Sequence, residues 1–393
     1  MAEKFYIEVY CHQKAYEGER ICGDVFLSER IPEENRVIAV LSDGLGHGVK
    51  ANVLATLTSK LALNFTKEHK DTNTIAETVM KALPECSDRK LSYATFTIID
   101  IEFDGTTQIV EYGNPVSVIL RGNRIFEPEW QCVLLSGTNA GKEILTCRFK
   151  LMKEDRIVFF SDGVSQSGTG SAKYPVGWGR DNAIAYVQHL ISGNSSISAR
   201  DLSSKVVNIA FQNDNFATCD DVSCATIYLR NPRRLIICSG PPVEPSNDTE
   251  MAEIVKSFDG HKIICGATTS NIIAQQLGLS IIEGQKFDDP DLPPVSFMDG
   301  FDLITEGILT LSKVSSLLNN HTMHNKHGKG PADQIVKLLL ESDEIHLLIG
   351  MRINQANHVP GLPLELEVRP TIARRIARTL ENNFLKEVHI KFM

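Results

Sequence analysis

The sequence predicts a layered α+β domain, an α-β-β-α sandwich with helices outside two stacked sheets, followed by a smaller α/β domain. Three observations carry that expectation. Short strand-like runs joined by tight turns make an antiparallel meander through the first half of the chain. Amphipathic helical segments interrupt the meander in pairs, so helices segregate from strands. Past residue 231, strands and helices alternate instead, the pattern of a partly parallel sheet.

The elements follow in order. Phe5, Ile7 and Val9 alternate with Tyr6, Glu8 and Tyr10, the period of two of a strand with one buried face. Val37 to Leu41 is apolar throughout and reads as a buried strand. Leu54, Leu57, Leu61 and Phe65 place one apolar stripe along a helix. Thr74 and Glu77 form a capping box ahead of Ile75, Val79 and Leu83. Strands at Tyr93 to Ile101, Thr107 to Tyr112 and Val116 to Arg121 come next, separated by Asp104-Gly105 and Gly113-Asn114-Pro115 turns. Ile157 to Phe160 is a second buried run, and Val222 to Leu229 a third. Between them Ser198 and Asp201 cap a helix carrying Leu202, Val206 and Ile209. Asn231-Pro232-Arg233-Arg234 is the expected seam, dividing the chain into residues 1–232 and 233–393. Beyond it, strands at Leu235 to Cys238, Lys262 to Cys265, Ile345 to Ile349 and Val388 to Phe392 alternate with helices at Asn271 to Leu277, Ile335 to Leu340 and Ile372 to Phe384.

Composition narrows the class. At 393 residues the chain exceeds one ordinary core, and 42% hydrophobic with 23% charged residues is a soluble globular balance. A net charge of −9 argues against general nucleic-acid binding. No apolar run approaches the roughly 18 residues that cross a bilayer. The segment Met1-Ala-Glu-Lys-Phe-Tyr-Ile-Glu8 lacks the apolar centre of a signal peptide. Nine cysteines without a CxxC pair fit a reducing compartment, and Cys224, Cys238 and Cys265 sit in apolar runs as core residues. The expectation is a cytoplasmic protein without nucleic-acid or membrane partners; a homodimer is left open.

The chemistry lies where strands end. Asp43-Gly44 closes one buried run, Asp162-Gly163 another, and Asp220-Asp221 opens a third. A single Asp-Gly after a strand is usually a turn. Three sites of similar construction point instead to a hard-cation site built on a sheet, with the Gly44 carbonyl facing an ion beside the Asp43 carboxylate. Oxygen ligands suit Mg²⁺ or Mn²⁺. Two such ions could hold a bridging water, lower its pKa and stabilise a phosphoryl group under in-line attack.

In order, Gly23-Asp24, Ser42-Asp43-Gly44-Leu45-Gly46-His47-Gly48, Ser161-Asp162-Gly163 and Asp220-Asp221-Val222-Ser223 resemble the metal-dependent serine/threonine protein phosphatases of the PPM type, and more closely their SpoIIE branch. The resemblance covers about residues 1–230. It implies a PPM-type sandwich and hydrolysis of phosphoserine or phosphothreonine by a metal-bridging hydroxide. The implied substrate is a phosphorylated bacterial signalling protein of the anti-sigma-factor-antagonist kind. It further implies two Mn²⁺ or Mg²⁺ ions bridged by Asp43, with Gly44, Asp162 and the Asp220-Asp221 pair as further ligands. Within the pair Asp220 is the expected ligand and Asp221 the turn anchor. Asp24 resembles the outer carboxylate that holds metal-bound water. His47 reads either as a general acid for the leaving serine oxygen or as a residue that caps the following helix or binds water. The phosphate-gripping arginine of eukaryotic members is absent, because Glu19 stands there with Arg20 beside it; Asn114 replaces a histidine common in relatives.

The second domain signals less. Gly266, Thr268, Thr269 and Ser270 join a strand to a helix and could hold an anion, though such residues also make ordinary caps. Asp299, Asp302 and Glu306 are equally compatible with a ligand or a solvated helix start. His321, His324 and His327 share a three-residue spacing that could bind a transition metal but reads first as a solvated loop, and Arg374, Arg375 and Arg378 read as a solvated or interface face rather than a nucleic-acid patch. The domain is expected to regulate or to bind a partner. The competing expectation is a non-catalytic phosphatase-like sensor whose second domain binds a small anion or nucleotide.

Overall fold

The computed structural model describes residues 5–31, 33–70, 72–82, 94–135, 141–320, 328–352, 365–384 and 386–393. His321, His324, His327 and Leu83 lie outside these. The chain divides into two compact units, Met1–Asn231 and Pro232–Met393.

The first unit begins with β1 (Tyr6–Lys14), β2 (Val25–Ile31) and β3 (Arg36–Gly44), followed by α1 (Gly48–Lys67) and α2 (Thr72–Ala82). Next come β4 (Ala94–Ile101), β5 (Thr106–Tyr112), β6 (Val118–Arg121), β7 (Arg124–Phe126), β8 (Gln131–Leu134), β9 (Glu143–Lys150) and β10 (Asp155–Phe160). It closes with α3 (Asp162–Gln166), α4 (Arg180–Gly193), α5 (Ala199–Asn213) and β11 (Val222–Arg230).

Two antiparallel sheets result, one ordered β1-β11-β10-β6-β7 and one ordered β2-β3-β4-β5-β9-β8. Between them lies a core of Ala39, Leu41, Ile99, Ile109, Ile157, Phe159, Ala225 and Ile227. Ile38, Val40, Phe96 and Ile98 turn outward to meet Ala62, Ile75 and Val79 of α1 and α2. Val158, Phe160 and Cys224 meet Ile184, Val187, Leu202 and Val206 of α4 and α5 on the opposite side. Helix, sheet, sheet, helix is therefore the observed layering. It explains the continuous apolar runs: a strand covered on both faces must be apolar at every position, and β11 is buried along its whole length. The described cysteines are all free thiols, with Cys224, Cys238 and Cys265 buried.

Two local expectations are corrected. Of the expected stripe, Leu61 and Phe65 pack partly buried against the core, but Leu57 stays exposed with Val49 and Val53; the fully buried face of α1 includes Ala51, Ala55, Thr58, Ser59, Ala62 and Leu63. The reason is close approach, since a Cβ on Gly44 would lie 2.2 Å from the carbonyl oxygen of Ala51. Only small side chains fit between a helix and strand at that separation. Second, α2 starts at Thr72, so Thr74 lies inside the first turn rather than before it. Ser198 does cap α5, accepting the Asp201 N–H at 3.0 Å.

Glu111 of β5 is buried, with Oε1 receiving the Ser117 N–H at 3.0 Å and the Ser117 hydroxyl. Burial raises its pKa to about 7, against those two hydrogen bonds, which lower it. The folded state thus holds this proton more tightly than the unfolded chain. Its contribution is fully present below the free-glutamate pKa of about 4.3 and is lost as pH rises through about 7. Glu111→Gln is expected to flatten that slope and to gain about 1–3 kcal/mol over the parent at pH 8, but not at pH 4. Denaturant midpoints at the two pH values would check it; an equal shift at both would refute the assignment.

The second unit runs β12 (Arg234–Ser239), α6 (Asp248–Ser257), β13 (His261–Cys265), α7 (Ala267–Leu277), β14 (Leu303–Thr305) and α8 (Ile308–Asn319). It ends with α9 (Pro331–Glu341), β15 (Glu344–Ile349), α10 (Glu365–Phe384) and β16 (Glu387–Phe392). The sheet order is β14-β13-β12-β15-β16, and every pairing is parallel, so the sheet is wholly rather than partly parallel. One face packs on α8, α9 and α10 through Leu311, Ile335 and Ile376; the other packs on α6 and α7 through Met251 and Ile273. Among the described residues, no helix is long and apolar enough to cross a membrane.

Candidate metal centre

Antiparallel pairing assembles the candidate site. Val25 pairs with Ser42, so Asp24, just before β2, lies beside Asp43 at the end of β3. Phe160 pairs with Cys224, so Asp162, first residue of α3, lies beside Asp220 and Asp221 ahead of β11. The first pair belongs to one sheet and the second to the other. The two meet at one edge of the sandwich, where the Asp43 carboxyl lies close enough to that of Asp162 to feel its charge.

Crowded carboxylates in a dry place resist ionisation. Burial raises the pKa of Asp43 well above the usual range, helped by Asp24, Asp162 and Asp220. Burial likewise lifts Asp24 to about 8, opposed by the nearby Ser223 and Ser161 hydroxyls and reinforced by Asp221 and Asp220. Asp220 rises to about 6 through burial and then the charge of Asp162. Among the described residues neither oxygen of Asp24 finds a hydrogen-bond partner, although the residue is only 2% exposed. Orphaned oxygens among mutually repelling carboxylates are the donor set a hard dication fits, since its charge reverses the penalty.

The two aspartates of the pair differ sharply. Asp221 is buried, and its Oδ1 accepts the Tyr16 N–H at 3.0 Å. Its Oδ2 would lie 2.5 Å from a Cβ on Gly23, so it fills the space left by that glycine. Asp220 lies near enough to Asp162 to be raised by its charge, and its Oδ1 accepts the Asp221 N–H at 2.8 Å. Asp162 Oδ2 accepts from Gln166 Nε2 at 2.7 Å, which steadies its carboxylate on the first turn of α3. Gly163 is cramped rather than flexible; a Cβ there would stand 2.1 Å from the Asp221 carbonyl oxygen.

His47 occupies the N-cap position of α1, but its side chain makes no cap hydrogen bond. The ring instead stacks on Tyr16, centroids 4.2 Å apart and 11° from parallel, and Nδ1 lies 3.1 Å from Glu19 Oε1. Nothing in the local sequence marks Tyr16 as a site residue, and Glu19 is marked only as standing where eukaryotic relatives carry an arginine. Asn114 is structural: its Oδ1 accepts from Thr95 Oγ1, and its Nδ2 donates to Thr97 Oγ1 at 3.1 Å. Arg20 is exposed.

The candidate anion turn in the second unit is largely committed to its own fold. Gly266 is the N-cap of α7, and Thr268, Thr269 and Ser270 already belong to that helix. The Gly266 N–H donates to Thr305 O at 2.8 Å. Thr269 Oγ1 accepts the Gly240 N–H at 2.9 Å, and the Ser270 hydroxyl donates to Ala267 O at 2.9 Å. Thr268 is exposed. Asp302 accepts from Lys262 N at 2.7 Å, and Glu306 Oε2 accepts from Leu309 N at the start of α8 at 3.1 Å. Arg374, Arg375 and Arg378 are exposed on α10.

The family model of Stage II sporulation protein E (SpoIIE) matches residues 33–229. No curated protein shows significant sequence similarity to the chain. Among solved structures, the PP2C phosphatase domain with a fragment of the regulatory domain of SpoIIE from Bacillus subtilis is 16% identical at a TM-score of 0.48, covering 57% of this chain and 62% of that one. The aligned part thus falls short of two thirds of that relative's length. RsbX in complex with magnesium is 20% identical at a TM-score of 0.40, over 57% of this chain and 95% of that one. The RsbU and RsbW domains of a Mycobacterium tuberculosis protein are 17% identical at 0.46, over 63% and 67%.

Proposed function

The chain belongs to the SpoIIE family of phosphatases, and on that premise we propose that its first unit removes phosphate from phosphoserine or phosphothreonine on a signalling protein, using two Mg²⁺ or Mn²⁺ ions. The unit is a PPM-type phosphatase domain. One observation above all supports the metal assignment: carboxylates from both sheets are forced together at a buried edge, with the Asp24 oxygens unpartnered.

Asp43, in reach of Asp162 on the other sheet, is suited to bridge the ions, with Gly44 offering its carbonyl. Asp162 and Asp220 lie near each other and complete the donor set, while Asp221 holds the turn through Tyr16. When bound, the ions supply a water of lowered pKa and offset charge on the phosphoryl group. Asp24, behind Asp43, can orient water by accepting its hydrogens. Glu19 at Nδ1 leaves His47 Nε2 free to face a leaving serine oxygen. Glu19 stands where eukaryotic relatives carry the phosphate-gripping arginine, so phosphate binding would fall to the ions. The substrate expected is a phosphorylated anti-sigma-factor antagonist. The second unit would regulate turnover or bind a partner, since the carboxylate cluster lies wholly within the first.

Turnover of p-nitrophenyl phosphate with Mn²⁺ or Mg²⁺ tests this, in the full chain and in one ending at Asn231. Both should turn over and both should stop in excess EDTA. Asp220→Asn should lose roughly a hundredfold or more and Asp221→Asn about tenfold or less. Undiminished turnover in EDTA would sink the metal mechanism. Metal binding lost in Asp221→Asn but kept in Asp220→Asn would reverse the roles of the pair.

A further inference from the structure

Two Glu-x-His triplets open neighbouring strands of the second unit: Glu344-Ile345-His346 begins β15 and Glu387-Val388-His389 begins β16. Residues two apart on a strand share a face. Parallel register then sets Glu344 beside Glu387 and His346 beside His389. Four side chains of metal-ligand type therefore meet on one face, although α10 separates the strands in sequence.

The distances are those of a ligand cluster. His346 Nε2 lies 2.8 Å from Glu344 Oε1, and His389 Nε2 lies 3.9 Å from the same oxygen. His389 Nε2 is also 3.1 Å from Glu387 Oε1. One ligand atom from each of Glu344, His346 and His389 falls within 4.8 Å of the others. Tetrahedral ligands about 2.0–2.1 Å from an ion stand roughly 3.4 Å apart, so the observed separations bracket the requirement and side-chain rotation closes the difference.

The surroundings suit an ion. Glu344 Oε2 accepts from Arg234 Nε at 3.1 Å, which fixes the carboxylate and leaves Oε1 turned to the histidines. Phe258 sets its ring edgewise on His346, centroids 5.0 Å apart. His389 is half exposed on the edge strand, giving an entry path. Two imidazoles with carboxylates favour a borderline transition ion over Mg²⁺.

We propose that Glu344, His346 and His389 form a binding site for a divalent transition ion of the Zn²⁺ kind, with Glu387 beside His389 as the neighbouring carboxylate. The ion would clasp the edge strand β16 to β15 and stabilise the second unit by its binding free energy. This site is independent of the carboxylate cluster of the first unit, which contributes no imidazole to its donor set.

Calorimetric titration of the full chain with Zn²⁺ in excess Mg²⁺ tests it, with Mg²⁺ present to compete at the carboxylate site. The parent should bind one Zn²⁺ equivalent that His389→Ala loses or weakens at least tenfold, and Zn²⁺ should raise the melting temperature of the parent more than that of the variant. His346→Ala gives a second, independent removal of a ligand. Equal Zn²⁺ stoichiometry and affinity in the parent and both variants, or no Zn²⁺ binding by the parent, would overturn the proposal.

Discussion

Asp43→Asn is expected to cut metal-dependent turnover by roughly a thousandfold, a loss of about 4 kcal/mol of transition-state stabilisation. Asp43 lies close to Asp162 across the gap between the sheets and is crowded by Asp24 and Asp220 as well, so it can serve both halves of the site. Asparagine has nearly the same shape but brings no charge, and one of its two oxygens becomes an N–H₂ donor that repels a cation. The same change removes a buried acid crowded by three others, so the metal-free protein should lose no stability and should melt at or above the parent temperature. Activity and melting therefore move in opposite directions. Steady-state turnover with Mn²⁺ and a thermal melt in EDTA would check both. A variant that kept a tenth of parental turnover would remove Asp43 from the bridging position, and one that unfolded would show that the residue is structural.

Gly163→Ala carries the second large effect. The methyl group would stand 2.1 Å from the Asp221 carbonyl oxygen and 3.3 Å from a Val222 methyl. Contact at ordinary distance requires α3 to withdraw from β11 by more than 1 Å. Asp162 would move with the helix and away from Asp220, which stands just ahead of β11. Overpacking of this kind costs about 1–3 kcal/mol, and a 1 Å displacement of a catalytic group costs about a hundredfold in rate. Turnover should fall by that order while the protein remains folded, with weaker metal affinity by titration. Undiminished turnover would mean that the Asp162 carboxylate does not depend on this packing.

Much of the first unit was legible in the sequence because its signals are local. Period-two alternation at Ile7 and Val9, the apolar runs ending at Asp43 and Phe160, and the Ser198 cap each require only neighbours within a few residues. The order of the acidic motifs was legible too, since carboxylates at strand ends have few structural uses when repeated. The buried face of α1 was not. Ala51, Ala55 and Ser59 look weaker than Leu54 and Leu57 on any hydropathy scale, and only the approach of Gly44 to Ala51 selects the small residues. Tyr16, and the role of Glu19 beside His47, were not legible for a similar reason: both enter the site through contacts with His47 and Asp221, which lie far along the chain.

By itself the sequence determined the layered sandwich, the acidic residues at its strand ends and the change to strand–helix alternation past residue 231, because periodicity and turn chemistry are properties of short segments. The tertiary structure alone decided which members of each set meet. Antiparallel pairing put Asp24 beside Asp43 and set Asp220 near Asp162 while burying Asp221. Parallel register aligned His346 with His389. Such contacts join residues distant along the chain, and their geometry is set by strand register and close packing, neither of which leaves a mark on the residues beside them.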